Sequence, residues 1–189
     1  MPQHEYSAAD ITIVEFDAAI RRAPGMYFWV AADSPALPSN IVGQTVSNAL
    51  HPDTYAAPWH SAAVRVEIIG DLAFTVTDDN ALPTPGYYES LLGHGRLLTA
   101  AAAVFGKRTI VEVWQDYRGL HQHLDHLHPI APAREFTPAT ARGTRITCHL
   151  DPALLAPGAT IAADLSAYVR HLPDCDQLPP CDLVIRDLR

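Results

Sequence analysis

The chain has 189 residues, 48% of them hydrophobic and 18% charged, with a formal net charge of -8. That length carries one full domain with a two-layer core and is short for two, and the composition excludes both a disordered acidic tail and a membrane protein. The negative charge would repel phosphate backbones and there is no long basic run, so autonomous nucleic-acid binding is not expected.

No apolar run reaches the ~20 residues of a membrane span, and the acidic, histidine-containing start lacks a basic stretch followed by an apolar core. No membrane association is expected, and the cytoplasm is the expected compartment. Cys148, Cys175 and Cys181 form an odd set without metal-finger spacing and read as reduced thiols.

In chain order, Ile11, Val14, Ala18, Ala19 and Ile20 recur at helical spacing, which predicts a helix over 8–22 preceded by an arm; Pro24-Gly25 ends it. Residues 33–39 carry two prolines and read as loop, with Ser39 or Asn40 as N-cap for a helix over 41–50. Val64, Val66 and Ile68 alternate with charged residues, and after Gly70-Asp71 the run 72–77 is again strand-like, so the two form a hairpin. A turn at Asp78-Asp79-Asn80 and an irregular stretch with Pro83, Pro85 and Gly86 follow. The alanine-rich run 97–105 is apolar on all sides and reads as a buried helix. Strands are expected over 109–117, 120–127 and 144–150, the first two joined by a tight Arg118-Gly119 turn. A helix over 160–172, with Ile161, Leu165, Tyr168 and Val169 on one face, precedes a closing strand over 182–188. This order predicts an α+β two-layer sandwich: a mixed, mostly antiparallel sheet with helices on one face.

The segment from Tyr6 to Tyr27, with its helix leading into Pro24-Gly25-Met26-Tyr27, resembles the opening of the ATPase domain shared by gyrase B and its topoisomerase IV counterpart, of the GHKL superfamily (the Bergerat fold). The resemblance continues in order. Gln44-Thr45-Val46-Ser47-Asn48 stands where the family has Glu-x-x-Asp-Asn, so Gln44 occupies the place of the general base and Asn48 that of the asparagine that helps hold Mg²⁺. His51-Pro52 replaces an acidic pair. Asp78 matches the aspartate that reads the adenine amino group, while Asn80 and Leu82, ahead of Pro83, stand where the two glycines of Asp-x-Gly-x-Gly would be. Gly143-Thr144 matches the strand whose threonine supports that aspartate. Between Pro83 and Gly93-His94-Gly95 there is too little chain for the family's glycine-rich phosphate lid, and Gly-His-Gly reads as a turn or helix start.

The resemblance implies a cofactor-binding set of Asn48, Asp78, Pro83 and Thr144, in which Asp78 and Thr144 keep the adenine half, without the machinery of hydrolysis. Glutamine cannot accept the water's proton, and losing a general base typically costs about 10²- to 10⁴-fold. Weak ATP or ADP binding is the implied cofactor use, with Mg²⁺ reduced to a single surviving asparagine. Tyr6 and Ile11 match the arm residues that reach a partner domain, which implies a homodimer or pairing with a gyrase-type subunit. The expected organisation is an arm and helix over 1–22 and a single stand-alone ATPase-like domain over 23–189, without a transducer or DNA-cleavage domain. The expected function is a pseudo-ATPase module that binds a small ligand or a protein. Its alternatives are a decoy that pairs with true gyrase B or sequesters gyrase inhibitors, and a slow ATPase using His51 or Asp53 as substitute base.

His121, His123, His126 and His128 form a separate constellation. On a strand His121 and His123 share a face, with Asp125 nearby, but the spacing is that of a solvated face rather than of a known zinc motif. His121 falls about where the family carries an arginine. Cys175 and Cys181 flank a proline-rich loop and read as structural.

Overall fold

A computed structural model describes residues 13–52, 61–81, 86–169 and 181–189. Among the described residues, eight strands form one sheet: β1 (Ala63–Gly70), β2 (Ala73–Asp78), β3 (Gly106–Gln115), β4 (Arg118–Asp125), β5 (His128–Pro129), β6 (Arg134–Phe136), β7 (Arg142–Leu150) and β8 (Asp182–Asp187). Their order is β5-β4-β3-β7-β2-β1-β8, with β6 also paired to β4. All pairs are antiparallel except β1 with β8, so the sheet is mixed and the fold is the expected α+β sandwich. The helices are α1 (Phe16–Arg22), α2 (Gly25–Phe28), α3 (Leu37–Leu50) and α4 (Leu97–Val104). Among the described residues, no helix is long and apolar enough to cross a membrane.

Register sets the layers. Residues directly opposite one another on neighbouring strands share a face, so Val66, Val76, Ile146 and Val111 form one row, and all are at most 4% exposed. The adjacent row on that face, Ile68, Phe74, Cys148, Thr109 and Leu124, is equally buried. Helices α3 and α4 pack on this face, against β1 and β2 and against β3. α4 carries the small residues Thr99 to Ala103, all buried, which lets it lie close to α3. In this core burial pushes the Cys148 thiol up to about 12, so it is an inert, protonated group.

Four expected elements differ. α3 begins at Leu37 rather than at 41, because Pro38 falls in its first turn, where a missing N–H leaves no bond unmade. Ser39 is therefore not the N-cap; its hydroxyl accepts from the Ala162 N–H (2.9 Å). The β3–β4 turn is Asp116-Tyr117, both at positive φ (52° and 60°), and Arg118-Gly119 already belongs to the strand. No helix forms over 160–169: Ile161 donates its N–H to the Asp71 carbonyl and Ala162 to Ser39, so the backbone bonds that a helix would close locally go to other elements. Ile161 and Leu165 are nonetheless buried, as their spacing suggested. The first helix starts at Phe16 and ends at Arg22: residues 13–15 of the expected span are described and are not helical, while residues 8–12 and 170–172 of the expected helices lie outside the described residues.

α1 is fastened from its first turn. Phe16 stacks on Tyr87 (centroids 4.1 Å apart, 9° between planes). Asp17 accepts from the Tyr88 hydroxyl (3.2 Å), pairs with Arg21 (3.2 Å) and stands 3.6 Å from His128 Nε2. Burial by itself would raise the Asp17 carboxyl. The Ala18 N–H, the Arg21 guanidinium, the Tyr88 hydroxyl and His128 outweigh it and hold the group below its ordinary range. A folded pKa below the unfolded one means that Asp17 contributes stability above about pH 4, and that this contribution is lost as pH falls through the folded pKa. Asp17→Asn should therefore flatten the acid limb of a Tm–pH curve below pH 4 and lower Tm at neutral pH, as read by thermal melts across that range.

Candidate functional site

The site begins with a row of the sheet: Val64, Asp78, Thr144, Val113 and Leu120 lie side by side on the helix-covered face. Asp78 and Thr144 are direct cross-strand partners at the ends of β2 and β7. The chain comes very close here. A Cβ on Gly143 would stand 2.5 Å from Trp114 Cζ2 and 2.7 Å from the Asp78 carbonyl oxygen, so the glycine before Thr144 is set by contact.

Asp78 is 4% exposed, and both its oxygens are engaged. Arg96, itself 2% exposed, donates from Nη1 to Oδ2 (2.7 Å) and from Nη2 to Oδ1 (2.8 Å), an end-on bidentate pair. The Asn80 N–H also donates to Oδ1 (2.9 Å), which makes an Asx turn out of Asp-Asp-Asn. Burial raises the Asp78 carboxyl above its ordinary range, and the Arg96 guanidinium pulls against that rise.

Asn80 ties the pair to its surroundings. Its carbonyl accepts from Arg96 Nη2 (3.3 Å) and from the Thr144 hydroxyl (2.5 Å). Its side-chain oxygen accepts from Arg142 (3.0 Å), and its amide donates to the Ser61 hydroxyl, which in turn donates to the Ala49 carbonyl near the end of α3. Thr144 thus supports the aspartate through Asn80 rather than by touching it.

Asn48 reaches from α3 to the start of α4. Its Oδ1 accepts from both the N–H and the hydroxyl of Thr99 (3.0 and 3.1 Å), and its Nδ2 donates to the Gly95 carbonyl (3.0 Å). Arg96, at the N-cap position of α4, makes no side-chain cap bond, so Asn48 supplies from another helix the acceptor that the exposed first turn lacks. Gly93-His94-Gly95 leads into α4 through a 3-10 turn over His94–Arg96. Gln44 lies one turn from Asn48 on the same face of α3 and is 6% exposed. His51 is buried at the C-terminal end of α3. Tyr6, Ile11, Asp53, Leu82 and Pro83 lie outside the described residues.

The groups that the resemblance implies would meet competition here. An adenine amino group would have to share Asp78 with Arg96, and Mg²⁺ would need the Asn48 oxygen that Thr99 fills twice. Arg96 is the residue that sequence reasoning missed. Its signal was a lone arginine between Gly93-His94-Gly95 and a helix without a charged residue, where a buried cation requires an anion. It also carries a loose end: its Nε is buried without a hydrogen-bond partner, a state that costs about 1–3 kcal/mol when nothing fills it. At the end of this row, Val113 and Leu120 line a groove of about 780 Å³ with Leu91, Trp114, Tyr117 and Phe136.

Comparison of the chain with protein-family models and with curated proteins gives no match.

The histidines divide. His121 and His123 stand on the face away from Asp78, with rings 5.9 Å apart, because their strand partners Glu112 and Ile110 are on that face. The position facing the site side is Gln122, bonded to the Leu91 N–H (2.9 Å). Asp125 pairs with His126 Nδ1 (2.8 Å), and His128 lies 4.3 Å from the Tyr88 ring. Among the described residues no three His, Cys, Asp or Glu side chains are grouped to hold a metal ion. Cys175 lies outside the described residues.

Proposed function

We propose that this chain is a gyrase-B-like ATPase-fold module that takes a small ligand or a protein partner and does not turn over ATP. The kinship is supported by Pro24-Gly25-Met26-Tyr27, Asp78 and Gly143-Thr144 in the family's order, by the mixed sheet with helices on one face, and by the direct pairing of Asp78 with Thr144. The observation that carries the loss of turnover is the internal commitment of both key groups: Asp78 to Arg96, and the Asn48 oxygen to the first turn of α4. Gln44 adds to it, since a neutral amide cannot take a proton from water near neutral pH. With base, metal ligand and base-reading carboxylate all diverted, phosphoryl transfer has no positioned parts.

The test is phosphate release from ATP with Mg²⁺. The chain should stay at buffer background, and Gln44→Glu should leave it there, because restoring a base frees neither Asn48 nor Asp78. Mg²⁺-dependent release that a non-hydrolysable ATP analogue competes away would overturn the reading.

A further inference from the structure

β8 ends the sheet order, joined to β1 along one side, and among the described residues nothing pairs with its other side. Its register with β1 is unbroken from Asp182 to Asp187, so no bulge turns the outer edge away, and the strand contains no proline. The Asp182 N–H donates to the Ala62 carbonyl and the Leu188 N–H to the Ile68 carbonyl (both 2.9 Å), which turns the backbone groups of 182, 184, 186 and 188 toward β1. Those groups alternate in direction along a strand, so the ones of Leu183, Ile185 and Asp187 point out of the sheet. The Leu183 N–H leans back to the Cys181 carbonyl (3.2 Å), a local contact that the carbonyl of an incoming strand can displace.

The sequence of this edge is complementary to itself. A two-fold axis through Val184 sets Leu183 against Ile185 of a second copy, and both carry the outward backbone groups that an antiparallel pair exchanges. The same axis sets Asp182 against Arg186 twice, in the non-bonded positions where side chains stand closest. An axis through Leu183 or Ile185 loses both charge pairs, and one between Val184 and Ile185 opposes outward groups to groups already used by β1. The two faces agree with this register. On the open face Arg186 stands opposite Glu67, so it would lie between that acid and Asp182 of the second copy, while Arg65 stands behind Val184. On the helix-covered face Leu183 and Ile185 stand opposite Val64 and Val66 and prolong the buried rows; Ile185, now 36% exposed, would be covered. Asp187 is answered within its own chain by Arg189 (2.6 Å). We infer that β8 is a self-pairing edge, through which two copies of this chain join their sheets about a two-fold axis at Val184. The inference stands on the sheet edge alone, and the presence or absence of ATP turnover does not bear on it.

Sedimentation velocity on the full chain tests it, and over about a hundredfold range of concentration the mass should rise from one copy to two. Asp182→Arg opposes like charges at both junctions, and so does Arg186→Asp, so each variant alone should associate about tenfold or more weakly than the parent. Mixed in equal amounts, the two variants again present opposite charges at both junctions, and the mixture should associate within about threefold of the parent. Ile185→Pro removes an outward N–H while leaving the bonds to β1, and should abolish association. All three substituted positions are exposed. A parent that stays a single copy throughout overturns the inference. So does a dimer that Asp182→Arg and Ile185→Pro leave intact, which would place the contact elsewhere on the chain. A mixture that associates no better than its separate components overturns the register centred on Val184, and the inference with it.

Discussion

Arg96→Met should lower the unfolding free energy by about 3–5 kcal/mol, because it leaves the Asp78 carboxylate buried with its cation removed. Methionine fills most of the arginine stem's volume, so the loss reports the charge rather than a cavity. The variant's pH dependence gives an independent check. Without Arg96 the burial effect is opposed only by the Asn80 N–H, and the Asp78 pKa rises further. A carboxyl whose folded pKa exceeds its unfolded value of about 4 binds its proton more readily in the folded state, so stability falls as pH rises between those two values. The deficit of Arg96→Met should thus be greatest at pH 7 and shrink toward pH 4. Adding Asp78→Asn removes the stranded charge while keeping a side-chain oxygen for the Asn80 N–H, and the double variant should recover to within about 2 kcal/mol of the parent. Urea denaturation of the four members of the cycle reads all of this. A single Arg96→Met variant within experimental error of the parent would show that the pair does not hold this end of the sheet.

The strands were legible because their signals are local. Alternation along 64–68 and 72–77 forces a period of two, and a sheet buried on one face admits only one register for it. The Asp78–Thr144 pairing follows from that register once β2 and β7 are neighbours. The helix expected over 160–172 failed for a matching reason. Ile161 and Leu165 are buried at helical spacing, but periodicity reports only which side chains go inside, and the Ile161 and Ala162 N–H groups are claimed by Asp71 and Ser39, distant in sequence. The same limit hid the Arg96–Asp78 bond. Eighteen positions separate the two residues, and each had a bland local explanation: turn chemistry for the aspartate, a helix start for the arginine. Only the requirement that a charge beside a helix without charged residues find a partner would have linked them.

Asn48→Ala should cost about 3 kcal/mol, and should do so equally with and without Mg²⁺. Three groups lose their partner at once: the N–H and hydroxyl of Thr99 and the carbonyl of Gly95. The hydroxyl can rotate to another acceptor, but the buried N–H and carbonyl cannot, and each such orphan is worth about 1–3 kcal/mol. If Asn48 instead served chiefly as a metal ligand, alanine would leave the apo chain nearly as stable and abolish a Tm increase that Mg²⁺ gives the parent. Asn48→Asp separates the two accounts further. Aspartate retains the acceptor for Thr99 and places a negative charge at the positive end of α4, but it loses the donor to Gly95 and sets an anion against that carbonyl. Its stability should lie between the alanine variant and the parent, and should improve as pH falls toward its own pKa, where the protonated acid can again donate. Calorimetry of the three proteins at pH 5 and 7, each with and without Mg²⁺, would show whether the side chain in the family's metal position serves here as a brace between two helices.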